Sequence, residues 1–160
     1  MPNRAAALFD RAEKMPEKIA VIFENKTWTY LELLNEARAF AAGLSKAGFG
    51  KGDKLGLMIA TRPQFIALEY ATFILGGTIA PMNVHYQGNE IEHALVSCDV
   101  QFLVIDNDCA HHLKPDFEAR CTSLRKVFVF GSTFEFDLFN DAESLRSDPS
   151  LALPPVDLDP

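Results

Sequence analysis

A chain of 160 residues is about one domain long and can bury a proper core without disulfide staples. Its 48% hydrophobic and 23% charged residues are the balance of a globular protein, with thirteen Phe spread through several segments as core fillers. The net charge is −7, and residues 1–60 hold nine Lys/Arg against seven Asp/Glu while residues 106–160 hold five against eleven, so no basic stripe exists and nucleic acid is excluded as an expected partner.

The opening "MPNRAAALFDRAEKMPEK" reads as a short amphipathic helix with no apolar stretch of signal-peptide length, and nothing later approaches a membrane span. Cys98, Cys109 and Cys121 are odd in number and widely spaced, so reduced thiols and a cytoplasmic location are expected. "KIAVIFENKTWTY" gives two short antiparallel strands around a turn at Glu24-Asn25-Lys26. Thr29 and Glu32 form a capping box, and Leu31, Leu34, Ala37, Ala41 and Leu44 fall on one face of the helix that follows, which Gly48 stops.

The stretch "KAGFGKGDKLGLMIA" raises the question of a phosphate-cradling loop. Such a loop must follow a strand and open a helix, so that its N–H groups and the positive helix end face the anion together. Here the order is helix, glycines, strand, and Gly43, Gly48 and Phe49 give G-x-x-x-x-G-F in place of G-K-[ST]. The stretch is therefore read as a turn.

After strand "KLGLMIA", Thr61 and Gln64 are expected to box the start of a helix with Pro63 in its first turn, and Phe65, Leu68, Phe73 and Leu75 to form its buried side. Gly76-Gly77 ends it, "TIAPM" is a short strand closed by Pro81, and a helix lies around Glu90–Ser97, with Asn89 or Gly88 available as cap. Strand "VQFLVID", a helix near 108–120 and strand "KVFVFG" complete the reading. Alternating strands and helices with continuous apolar strands predict an α/β fold: a mostly parallel sheet covered on both faces, plus the small N-terminal hairpin. Residues 1–145 are expected to form this unit, and 146–160 a Pro-rich linker.

Two motifs together resemble the adenylate-forming (AMP-binding) enzymes. "TWTYLEL" (27–33) is similar to their first core motif and "ILGGTIAPMN" (74–83) to their second, in order and in register across about residues 5–130. "NVHYQGNEIEHAL" stands where acyl-CoA and aryl-CoA synthetases carry a loop entering a helix. The resemblance implies a ligase, with fatty-acid metabolism as one setting. A carboxylate attacks the α-phosphate of ATP to give an acyl-adenylate and pyrophosphate, with Mg²⁺ assisting; CoA then displaces AMP.

In the family a Ser/Thr/Gly-rich loop ending in lysine holds the pyrophosphate, and no glycine follows Gly131 here. "PPVDLDP" resembles the linker upstream of that loop. The expectation is an N-terminal piece of a longer ligase, without catalytic residues or a resident cofactor of its own, inactive alone, and partnered by the rest of the ligase chain. It would form one wall of the acyl and CoA site, and a homodimer surface is a further expectation. A free-standing non-catalytic module for binding or oligomerisation is the alternative, and an unrelated doubly wound nucleotide binder a weaker one.

The resemblance also marks Asn83 and His85 as cofactor-binding candidates. The residue two after that Asn faces CoA phosphates in some relatives and is often Arg; here it is His85, a poor clamp when neutral. Tyr86 is expected to pack. Cys98, Cys109, His111, His112 and Cys121 fit no short zinc spacing, so no metal is expected. Asp106 and Asp108 are read as ending a strand and capping a helix. "NKT" at 25–27 matches a glycosylation sequon that has no bearing without secretion.

Overall fold

The computed structural model describes residues 4–131 and 139–150. The expected linker from 151 onwards lies outside them. The described chain forms two compact units. One is built from the residues up to Lys51, from Thr61–Gly77 and from Leu145 onwards; the other from Gly52–Ala60 and Thr78–Ser144.

The first unit contains α1 (Ala5–Lys14), a hairpin of β1 (Ile19–Phe23) and β2 (Lys26–Thr29), α2 (Tyr30–Lys46) and α3 (Pro63–Ile74). The hairpin is antiparallel with Phe23 opposite Lys26, so the turn is Glu24-Asn25, and Glu24 takes φ 52°. The capping box is present: Glu32 N–H donates to Thr29 Oγ1 at 3.2 Å, and Thr29 N–H to Glu32 Oε2 at 2.8 Å. α2 packs along α3, and α1 rests on both.

Two expectations about these helices are corrected. Leu31 is 39% exposed, because it sits in the first turn of α2; the buried face instead centres on Leu34, Ala37, Phe40, Ala41 and Leu44. α3 has Arg62 as its N-cap, with no side-chain cap and Pro63 in the first turn, so Thr61 and Gln64 make no box. Its buried side is built from Ala67, Leu68, Ala71, Thr72, Ile74 and Leu75, while Phe65 and Phe73 are half-buried. Small residues let α3 lie close to α2, which leaves the large rings at the margin.

The second unit is a five-stranded sheet of β3 (Lys54–Met58), β4 (Thr78–Pro81), β5 (Phe102–Asp106), β6 (Lys126–Phe130) and β7 (Phe139–Asp141). All neighbours are parallel, in the order β4-β3-β5-β6-β7. Both faces are buried, as the apolar strands predict: Leu57, Phe102 and Val104 alternate with Met58, Leu103 and Ile105, all 1% exposed or less.

α4 (Gly88–Ser97), α5 (Asn107–Ala110) and α6 (Phe117–Arg120) belong to this unit. The single helix expected near 108–120 is thus two short turns, broken where Leu113-Lys114-Pro115 removes a backbone donor. β7 was not foreseen; it is three residues long, and its Phe139 ring stacks on Phe117 at 6.1 Å. A 3₁₀ turn, Ala142–Leu145, follows it.

Helices α2, α3 and α4 end alike. Gly48 N–H returns to Ser45 C=O and Phe49 N–H to Leu44 C=O; Gly76 and Gly77 repeat this on Phe73 and Thr72, and Asp99 and Val100 on Val96 and Leu95. The first residue of each pair has positive φ, 97° at Gly48, 72° at Gly76 and 52° at Asp99. Asp99 lacks glycine's freedom and is held by its neighbours. Ser123 Oγ donates to its Oδ1 at 2.6 Å, Lys54 Nζ stands 3.4 Å from its Oδ2, and Gln101 Nε2 donates to its carbonyl at 2.7 Å.

Residues 145–150 dock on α2. Ser147 N–H donates to Ala39 C=O at 3.2 Å, and Arg146 reaches Glu36 Oε1 at 2.6 Å while lying 5.2 Å over the Phe40 ring. The seat is Gly43, where a Cβ would lie 1.7 Å from the Leu145 carbonyl oxygen.

Two predictions follow from these contacts. In urea unfolding, Gly43→Ala should lose about 1–3 kcal/mol by overpacking, although helix propensity alone would favour Ala by about 1 kcal/mol. The sign of the change distinguishes the two. For Asp99, hydrogen bonds from Ser123, Gln101 and Lys54 hold the carboxyl below the usual carboxylate range. Its charged form therefore contributes stability that is complete above the unfolded pKa and is lost as pH falls through the lower, folded one. Asp99→Asn tolerates the same backbone and removes the titration, so its unfolding free energy should vary less between pH 7 and acid than the parent's.

Candidate functional site

The sheet's strand order reverses between β3 and β5: β4 is added on one side of β3, whereas β5, β6 and β7 extend the other. Open α/β sheets bind ligands in the crevice outside the carboxyl ends of such a pair. Here that edge is bridged by the chain itself. Ala60 N–H, just past β3, donates to Asp106 Oδ2 at the end of β5, at 2.7 Å. Cys109 Sγ, in α5, donates to the Val84 carbonyl, in the loop after β4, at 3.4 Å. Asp106 occupies the N-cap position of α5, yet its side chain makes no cap; it is turned to Ala60 instead, which corrects the capping role expected of it. Asp108 lies in the first turn of α5.

Cys109 is 6% exposed. Burial, reinforced by the carboxylates of Asp106 and Asp108, pushes its thiol up, so it keeps its proton at neutral pH and can act as a donor. No spacing signal in the sequence announces this contact, because it joins residues 25 apart through the order of the strands.

Asn83 and His85 share the loop that Cys109 touches, and both are exposed. His85 N–H donates to Asn83 Oδ1 at 3.0 Å, and Tyr86 N–H to the Asn83 carbonyl at 3.0 Å. The Asn83 side-chain oxygen is thus committed to shaping the turn. Gln87 Nε2 lies 3.5 Å from the His85 carbonyl. The Tyr86 ring packs against the core cluster around Ile91 and Leu103. α4 then begins with Gln87 as N-cap, its N–H donating to Glu90 Oε2 at 2.9 Å; this replaces the Asn89 or Gly88 cap expected from sequence. Lys114 Nζ reaches Asn89 Oδ1. Next to the loop, Tyr86, Asn89, Glu90, His93 and Ala94 line an open groove of about 350 Å³.

On the same unit, Arg120 grips Glu92 through Nε at 2.7 Å and Nη2 at 2.8 Å, and also pairs with Asp116, which ties α4 to α6. The guanidinium holds both carboxyls below their usual range. Cys109 and Cys121 are buried and Cys98 is exposed. Among the described residues, no group of three or more His, Cys, Asp or Glu could hold a metal ion. No helix among them is long and apolar enough to cross a membrane.

At Gly48, Gly76 and Gly77 the N–H groups are returned to helix carbonyls and are not offered to an anion. The described residues therefore do not fit a triphosphate at either turn.

Asp106→Ala should orphan the Ala60 N–H and cost about 1–3 kcal/mol in chemical denaturation, whereas Asp106→Asn, which keeps an acceptor oxygen, should cost less. Equal losses for the two variants would show that the bridge does not matter.

Over most of its length this chain is similar in sequence to CoA ligases. It is 33% identical over 101 residues to a 2-succinylbenzoate–CoA ligase of Bacillus velezensis, covering 62% of this chain and 21% of that protein. With a long-chain-fatty-acid–CoA ligase of Bacillus subtilis it shares 30% over 106 residues, 65% of this chain and 19% of the other. The fold is that of coronafacic acid ligase from Pectobacterium brasiliense, with a TM-score of 0.84 at 19% identity over 95% of this chain and 31% of that one. The chain thus spans about a fifth of the length of the curated relatives it matches. Residues 8–160 match the AMP-binding enzyme family as a whole, and the chain belongs to that family.

Proposed function

We propose that this chain is the N-terminal part of an AMP-forming acyl-CoA ligase, the enzyme class that turns ATP, a carboxylic acid and CoA into acyl-CoA, AMP and pyrophosphate. The observation that carries this reading is the family match over residues 8–160, joined to CoA ligases as relatives several times longer than this chain. Residues 1–145 form the N-terminal α/β part in this reading, and 146–160 lead to the rest of the ligase.

ATP and Mg²⁺ would be held by the remainder of the ligase, since the turns and carboxylates described here fit neither. For CoA, the described residues offer two candidates, Asn83 and His85. His85 stands exposed on a loop whose shape Asn83 fixes, so His85 meets a CoA phosphate and Asn83 positions it. The carboxylic acid and the remaining ligase chain are the other partners, in the cytoplasm. A homodimer belongs to the same proposal, and sedimentation equilibrium decides it.

Isolated, the chain should catalyse no ATP–pyrophosphate exchange with any of a panel of fatty and aromatic acids. Exchange above the protein-free background, abolished by omitting the acid, would overturn the reading of this chain as a silent part of the enzyme.

A further inference from the structure

We propose that Cys109 is a positioning residue: its buried thiol latches the Val84 carbonyl and so fixes the Asn83–Gln87 loop to the carboxyl edge of the sheet. The inference rests on the reading of that loop as the CoA-facing one for its purpose, but not for its geometry.

The loop's bonds sort into two kinds. Those of Asn83 with His85 and Tyr86, and of His85 with Gln87, are internal; they shape the loop without attaching it to anything. At its start, Met82 N–H donates to Leu57 C=O at 2.8 Å, and at its end Gln87 N–H turns inward to Glu90 of its own helix. Between these ends, the bond described from the loop's backbone to another part of the sheet edge is Cys109 Sγ to Val84. Val84 and Tyr86 are partly buried and pack against the core, so the latch adds a directional bond to that apolar contact.

The latch has a rigid base. Cys109 lies three residues beyond Asp106, whose carboxylate grips Ala60 at the end of β3. One short turn therefore carries both bridges across the strand reversal, and a loop attached to it is fixed relative to three adjacent strands. A thiol suits the place: it is apolar enough to be buried at 6% exposure, yet it donates one weak hydrogen bond to a carbonyl that would otherwise go unmet. Asn83 and His85 are then held ready for a ligand, and little ordering remains to oppose binding.

Two measurements test this on the 160-residue chain. In amide hydrogen exchange, Cys109→Ala should speed exchange at His85 and Tyr86 by about twofold or more, the loss of one weak hydrogen bond, and Cys109→Ser, which restores a donor, should recover part of it. Amides of Val127 and Val129 in β6 should not change. Equal acceleration in loop and β6, or none in the loop, overturns the latch.

The second measurement needs no variant. Under iodoacetamide, followed by mass spectrometry, the exposed Cys98 should alkylate first, Cys109 next as the loop opens locally, and Cys121, about as buried but away from the loop, last. Cys109 reacting as slowly as Cys121 overturns the proposal. Repeating the alkylation with 3′-phosphoadenosine 5′-diphosphate, the thiol-free phosphate end of CoA, separates the two ideas. Slowing at Cys109 alone supports both, whereas no slowing, with the order of reactivity intact, overturns the CoA reading of the loop and leaves the latch standing.

Discussion

A helix that hands over to a strand within a few residues leaves carbonyls without helical partners, and a buried carbonyl left unmet is costly. This chain meets the demand three times with the same device, one residue of positive φ that folds two N–H groups back onto the helix. The rest of the architecture depends on it. After Gly76 and Asp99, β4 and β5 begin within a few residues, and β3 follows Gly48 after a slightly longer turn. The same geometry turns the N–H groups of Gly48, Gly76 and Gly77 onto the helices behind them.

Chemistry is displaced accordingly. The strand reversal between β3 and β5 is where an open sheet would offer a crevice, but Asp106 and Cys109 span it. What remains outward is the loop carrying Asn83 and His85 and the groove along the first turns of α4. The AMP-binding match places the chain in that family without placing the reaction on its described residues.

Several features that depend on a few neighbouring residues are legible in the sequence. The Thr29–Glu32 box, the stop at Gly48, the hairpin and the apolar strands each depend on a few neighbouring residues, and each is present. The misreadings share a different cause. Leu31 fits the helical face by spacing, but in the first turn of α2 it is Leu33 that is buried and Leu31 that stands at the margin. Thr61 and Gln64 satisfy the pattern of a box, but the chain enters α3 one residue later. β7 is too short to carry a period and exists because β6 offers it an edge. Asn83 and His85 were singled out by resemblance to a motif, and the structure adds what sequence could not, that the Asn83 side chain is spent on the turn and that Cys109 meets the loop from 25 residues away.

The seat at Gly43 has a consequence for biosynthesis. The unit that contains α2 takes its last piece, residues 145–147, from the far side of the whole five-stranded sheet in sequence. A nascent chain emerging from the ribosome cannot finish that unit when α3 appears; it must wait until Leu145 and Ser147 have been translated, a loop closure of about a hundred residues. Until then Gly43 lacks the Leu145 carbonyl that lies against it in the folded structure.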